Sequence, residues 1–196
     1  MQAVVYDRNG ANYCGRMWWM MKWLGHDAVA VLDGGLQAWE ASGGAVEKGA
    51  PVALKPIASK FELKSALREW ISTDQLAPQV GHPNLTLIDA RAAARYRGEM
   101  EPLDPVAGHI PGALNRPFAE NLGADGFFKS PEVLRAEFEK LLAGRDPATV
   151  VHHCGSGVST VPNILAMEIA GLGITRLYPG SWSEWCNTPG LPCAKG

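Results

Sequence analysis

The segment Val150-Val151-His152-His153-Cys154-Gly155-Ser156-Gly157-Val158-Ser159 is an apolar run that halts at a cysteine and enters a glycine-rich turn. Thr160-Val161-Pro162-Asn163-Ile164-Leu165-Ala166-Met167-Glu168 follows with helical periodicity, so a strand, a tight loop and a helix start succeed one another. The cysteine falls where the strand ends. The N–H groups of such a turn and of a helix's first turn have no intrahelical partner, and together they favour an anion. Gly155 and Gly157 let the backbone wrap closely around the sulfur, Thr160 or Ser159 is expected to cap the helix, and Pro162 suits a first turn where no donor is needed. A thiol held there is expected to ionise more readily than a free cysteine, at about 8.5. The alternative is an inert buried cysteine beside an ordinary strand-to-helix turn.

The 196 residues suffice for one large domain or up to two small ones. A hydrophobic share of 46% with 19% charged residues describes a globular protein, and a net charge of -2 gives no reason to expect nucleic acid or an anionic membrane as partner. Cys14, Cys154, Cys186 and Cys193 form no Cys-x-x-Cys pair and no zinc-like spacing, which points to free thiols in a reducing compartment, the cytoplasm. The apolar run Met17-Trp18-Trp19-Met20-Met21 is bounded by Arg16 and Lys22 and is too short to span a bilayer; no signal peptide is recognised.

Residues 1 to 43 read as strand (Ala3 to Tyr6), turn, helix (about Tyr13 to Leu24), strand (Ala28 to Leu32), then a Gly-Gly turn and a short helix around Leu36 to Ala41. The same order recurs at the other end of the chain. Ala3-Val4-Val5-Tyr6-Asp7 lies over Val150-Val151-His152-His153-Cys154, and Gly34-Gly35-Leu36-Gln37-Ala38-Trp39 lies over Gly180-Ser181-Trp182-Ser183-Glu184-Trp185. Where the second copy has Cys154 the first has Asp7, so only one copy can carry thiol chemistry, and the displaced Cys14 reads as core filler.

Residues 46 to 60 contain Pro51 and Pro56, lack a clear period and read as a linker. A second domain then runs from 61 to 196. Within it Ser72-Thr73-Asp74-Gln75 looks like a helix cap, Leu85 to Asp89 a buried strand, Ala90 to Tyr96 a helix, and Ser130-Pro131-Glu132 the start of a helix ending near Ala143. Strands alternating with helices predict an α/β fold with a parallel sheet covered on both faces. Residues 1 to 45 are expected to be the rear half of a domain whose front half lies outside this sequence, and therefore a weak point with uncovered edges.

With these residues in place, the chain resembles the two-domain rhodanese-like sulfurtransferases, the thiosulfate and 3-mercaptopyruvate enzymes. The resemblance rests on Asp89-Ala90-Arg91, Arg95-Tyr96-Arg97-Gly98, Gly108-His109-Ile110-Pro111-Gly112-Ala113, Asn115, the Cys154 loop and Gly180 to Trp185. In the N-terminal unit it rests on Trp23-Leu24-Gly25-His26 and Leu32-Asp33-Gly34-Gly35. It implies a rhodanese-like three-layer α/β/α domain over 61–196, preceded by the C-terminal half of a non-catalytic copy. It also implies a sulfur relay in which the Cys154 thiolate takes sulfur from a small-molecule donor as a persulfide, and cyanide or a thiol removes it. The amides of Gly155, Ser156, Gly157, Val158 and Ser159 would stabilise the anionic sulfur, and no metal or organic cofactor is required.

By the same resemblance Arg95 binds the donor's carboxylate or sulfonate, a task that suits a planar guanidinium; the bland reading is an ion pair with Glu99 or Glu101. Asp89 and Arg91 match positions that brace the loop. His109 reads as a satisfied turn histidine, and His152 and His153 should face opposite sides of the sheet without catalytic roles. Trp182 and Trp185 are expected to form a wall beside the loop. Cys-Gly-Ser-Gly-Val is the loop of the mercaptopyruvate type, with Ser156 placed to help protonate the departing enolate. Two features depart from that type: Leu103 follows Glu101-Pro102 where a second carboxylate-binding Arg is common, and an Asp and a His of the front half are missing. Two rival readings are an inactive binding or regulatory module and a cysteine-dependent phosphatase. The phosphatase fails on spacing, because Thr160 stands where the phosphate loop needs an Arg.

Overall fold

The computed structural model describes residues 2–50 and 61–196, so most of the expected linker, residues 51–60, lies outside the described residues. In the N-terminal unit β1 (Ala3–Val5) pairs in parallel with β2 (Val29–Val31), with α1 (Cys14–Trp23) between them and α2 (Gly35–Ala41) after. The rest contains α3 (Thr73–Leu76), β3 (Thr86–Asp89), α4 (Ala93–Tyr96), β4 (Leu114–Asn115), α5 (Pro131–Leu142), β5 (Val150–His153), α6 (Val161–Ile169), β6 (Arg176–Leu177) and α7 (Ser181–Asn187). Its sheet has the order β4-β3-β5-β6 with every pair parallel, the α/β architecture that the alternation of strands and helices predicts.

The strand sequences alternate between two helical layers because successive side chains point to opposite faces. Ile88 and Val150 pack with Leu134 and Phe138 of α5 and with Ala166 and Met167 of α6. Leu87 and Val151 face the other way, onto Leu76 of α3 and Trp182 and Trp185 of α7. The two consecutive histidines split in the same manner: His152 Nε2 lies 3.2 Å from Met167 Sδ, while the His153 ring lies 6.5 Å from that of Tyr178. Asp89 is paired with His153 in the β3–β5 register, so β3, β4 and β5 end at one edge of the sheet, where parallel folds place their ligands.

Helix starts follow their caps. Ser72 and Gln75 form a reciprocal capping box, and Ser130 Oγ accepts from Val133 N at 3.4 Å with Pro131 in the first turn. The helix expected from Ala90 is shorter. Ala90 N still donates to the His153 carbonyl and Arg91 N turns back onto Asp89 Oδ1, so helical bonding starts only at Ala93. The N-terminal unit is docked by apolar packing: Cys14, Trp18 and Trp19 of α1 share a core with Val161, Ile164 and Leu165 of α6, and a Cβ on Gly15 would come within 3.1 Å of Val161 Cγ1. Its outer face leaves Val4, Tyr6, Met17 and Trp39 exposed. Replacing the fully buried Ile164 by Ala is expected to cost about 2–5 kcal/mol. A lower urea midpoint at unchanged slope is the measurement that checks it.

Candidate active site

Cys154 follows the last residue of β5 and is 2% exposed. Its backbone is tied on both sides: N donates to Ser181 Oγ at 3.1 Å, and its carbonyl accepts from Trp182 N at 3.0 Å. Ser181 Oγ in turn donates to the Tyr178 carbonyl at 2.9 Å, and Ser183 N donates to the Gly155 carbonyl at 2.9 Å. The start of α7 therefore holds the sulfur-bearing residue from below. Gly157 has φ +74°, and a Cβ there would meet the Pro179 carbonyl oxygen at 2.4 Å, so conformation and close approach both demand glycine.

Among the described residues, the amides from Gly155 to Thr160 donate to no protein oxygen. The expected cap is missing. Thr160 precedes α6 with helical backbone angles, φ −77° and ψ −33°, rather than the extended ones that a capping side chain needs, and its buried Oγ1 finds no partner. The loop's donors are thus left to an anion. The first copy carries an anion at the corresponding position. Both oxygens of the Asp7 carboxylate are held there, accepting from the amides of Asn9 (2.8 Å), Ala11 (3.1 Å), Tyr13 (2.8 Å) and Cys14 (2.9 Å). Burial alone would raise the Asp7 pKa; donation from Cys14, Asn9, Tyr13 and Ala11 outweighs it and holds the carboxyl below its ordinary range. Cys14, buried and beside that carboxylate, is pushed the other way, to about 12.

A cavity of about 470 Å³ opens over Cys154, lined among others by Ser156, Ser159, Arg95, Asp104, Tyr13 and Phe118. Arg95 stands at its edge. Its Nε and Nη2 donate to Glu101 at 3.2 and 2.5 Å and Nη2 lies 3.5 Å from Asp104 Oδ2. Its Nη1 has no acceptor among the described residues and would lie 3.5 Å from a Cβ built on Gly155. The Glu101 partner is a buried group, 3% exposed, while Glu99 pairs instead with Arg97. Arg91 is a brace: Nη2 donates to Asp89 Oδ2 and to the Gly108 carbonyl, both at 2.7 Å, and its guanidinium lies over Trp182. Asn115 Nδ2 ties the Asp89 and Arg91 carbonyls together at 3.0 and 2.9 Å. His109 is satisfied through Nδ1 and the Tyr96 carbonyl at 2.8 Å. Burial lowers the pKa of His152 to about 3 and that of His153 below its usual value, so the strand beneath the sulfur carries neutral imidazoles.

The tryptophan wall stands behind the loop and not at the cavity, with Trp182 N on the Cys154 carbonyl at 3.0 Å. Trp182 and Trp185 are wholly buried in the core, with indole N–H groups donating to the Val106 and Pro192 carbonyls, and neither lines the cavity. The aromatic lining comes from Tyr13, at the start of the other unit's helix, and from Phe118. Their sequence neighbourhoods carried no periodic signal for that role. Ser181 was also missed; it sits at φ +55°, a backbone strain that only coordinates reveal.

The rhodanese-like domain pattern matches residues 1–42 and 72–188. The chain belongs to the rhodanese-like family. It is 46% identical over 196 residues to the "Probable 3-mercaptopyruvate sulfurtransferase" of Pseudomonas aeruginosa, covering 100% of this chain and 68% of that protein. It is 37% identical over 192 residues to the thiosulfate sulfurtransferase of Bos taurus, covering 93% of this chain and 62% of that one. The rhodanese-like fold recurs in a 3-mercaptopyruvate sulfurtransferase from Leishmania major, with TM-score 0.81 and 33% identity over 97% of this chain and 53% of that chain. The chain thus spans about two thirds of these curated relatives and about half of the Leishmania chain.

Asp7→Asn is expected to cost about 1–3 kcal/mol, because hydrogen bonds to a charged acceptor are the strong ones. A depressed carboxyl stabilises the fold fully above its unfolded pKa, about 3.9, and loses that contribution as pH falls through the lower folded value. Urea midpoints of wild type and variant should therefore differ at neutral pH and draw together only as acidification passes below the ordinary carboxyl range, through the lower folded value.

Proposed function

We propose that this chain is a sulfurtransferase that carries sulfane sulfur on Cys154, with 3-mercaptopyruvate modestly preferred over thiosulfate. The observation that carries the reading is the set of loop amides without protein acceptors beside Cys154, at the floor of a cavity edged by Arg95. Names of the relatives support the reaction class, and the 46% identical relative supports the mercaptopyruvate preference.

The Cys154 thiolate attacks the donor's outer sulfur. With 3-mercaptopyruvate the S–C bond breaks, its electrons leave as the pyruvate enolate, and a proton delivered near Ser156 completes pyruvate; with thiosulfate the S–S bond breaks and sulfite departs. The sulfur remains as a persulfide whose charge the amides of Gly155 to Ser159 stabilise as an oxyanion hole would. An incoming thiolate or cyanide then attacks the outer sulfur, forming a new persulfide or thiocyanate and restoring the Cys154 thiolate. Arg95 grips the donor's carboxylate or sulfonate through the free Nη1 edge, held in place by Glu101 on its other edge. Asp89 and Arg91 keep the cleft's floor rigid. All four cysteines are free thiols among the described residues, which supports a reducing, cytoplasmic setting.

Intact mass after incubation with either donor tests the reading: a gain of one sulfur that Cys154→Ser abolishes is expected, and a free Cys154 thiol with no gain would instead favour a binding module. Arg95→Met should lower kcat/KM for 3-mercaptopyruvate about 10–100-fold, mainly through KM, as expected for loss of one charged donor–carboxylate contact. A side-by-side kcat/KM clearly favouring thiosulfate would remove the donor preference.

A further inference from the structure

The cavity side of the loop is short of positive charge. Its two guanidinium groups, Arg91 and Arg95, are matched by three carboxylates, Asp89, Glu101 and Asp104. Behind the sulfur His153 is held neutral, and His109 is occupied by the Tyr96 carbonyl. The remaining polar lining, Tyr13, Ser156, Ser159 and Ser183, is uncharged at neutral pH. An anionic sulfur and an anionic donor would meet there with a net negative cluster as neighbour.

The balancing charge comes from the other unit. Arg16, on α1, donates Nη1 to the Gly157 carbonyl at 3.3 Å, and its guanidinium lies 5.4 Å from the Trp19 ring centroid. Among the described residues it has no carboxylate within 4.0 Å, unlike Arg91 and Arg95. It also stays outside the donor cavity, lining instead a small apolar groove with Trp19, Met20, Trp23, Trp70 and Pro179. Peptide planarity supplies the link to the sulfur. In a trans peptide C=O and N–H point opposite ways, so drawing the Gly157 carbonyl outward turns the Val158 N–H inward.

We infer that Arg16 is a positioning residue for sulfur transfer: it fixes the Gly157–Val158 peptide with its amide toward Cys154 and supplies, from behind the loop, the positive charge that the cavity side lacks. Burial draws Arg16 below its ordinary pKa and the Cys154 charge draws it back up, which agrees with the two groups sensing each other. The inference rests on Cys154 being the sulfur carrier, and it gives the N-terminal unit a part in the chemistry.

The test is the pH dependence of Cys154 alkylation by iodoacetamide, followed by peptide mass in the full chain. In Arg16→Met, which keeps an apolar stem over Trp19, and in Arg16→Gln, the midpoint should rise by about one pH unit or more, with Arg16→Lys moving less than half as far. The donor KM should change little while kcat falls, since Arg16 is outside the cavity. Midpoints matching wild type in whichever neutral variant folds would overturn the inference, as would an Arg16→Lys shift as large as that of the neutral variants. A wild-type chain that takes up no sulfur would sink the transferase reading alone, because alkylation reports the thiolate without any transfer.

Discussion

Between the end of β5 and the first turn of α6 the backbone presents successive N–H groups that no protein oxygen among the described residues accepts. Successive donors of a tight turn that open onto a cavity make an anion-binding concavity, so the arrangement favours a negatively charged occupant. In the first copy of the unit that occupant is built in: the Asp7 carboxylate takes four amide donations. In the second copy the corresponding position is Cys154, whose side chain can acquire and lose charge. The duplication contains its own comparison, a permanent anion in one seat and a reactive one in the other.

Everything around the second seat serves to keep it still. The Cys154 backbone is anchored to Ser181 and Trp182, Gly157 is pressed onto the Pro179 carbonyl, and the Asp89–Arg91 pair locks the neighbouring strand end to Gly108. The first are neutral hydrogen bonds and a close backbone approach, the last a buried, charge-assisted pair, and together they leave little freedom to the backbone. The side chains that face the cavity are by contrast lightly engaged: Ser156 is exposed, and the Nη1 edge of Arg95 is free.

Several local signals in the sequence were good guides. The apolar run Val150 to His153, the Ser72 and Ser130 caps and the glycines of the loop each follow from short-range chemistry, and each appears in the fold. The repeat located Asp7 opposite Cys154 without any coordinates. What was hidden depends on distance in space. Tyr13 and Arg16 reach the loop only because α1 packs on α6, and Trp182 and Trp185 turn inward because α7 closes over Leu87 and Val151. The sequence offers Glu99 or Glu101 as ion-pair partner of Arg95 only as the alternative to donor binding; the pair forms with Glu101, and the burial of that carboxylate makes it a fixed support. The expected caps at Ser159 or Thr160 failed because the chain is already helical at Thr160.

The Pro179 carbonyl beneath Gly157 has an evolutionary corollary. A side chain at position 157 would collide with that carbonyl, so the loop keeps its shape only with glycine there. Ser156, Val158 and Ser159 line the cavity around that fixed point. New substrate preferences can then arise by exchanging those side chains while the sulfur's seat is inherited intact.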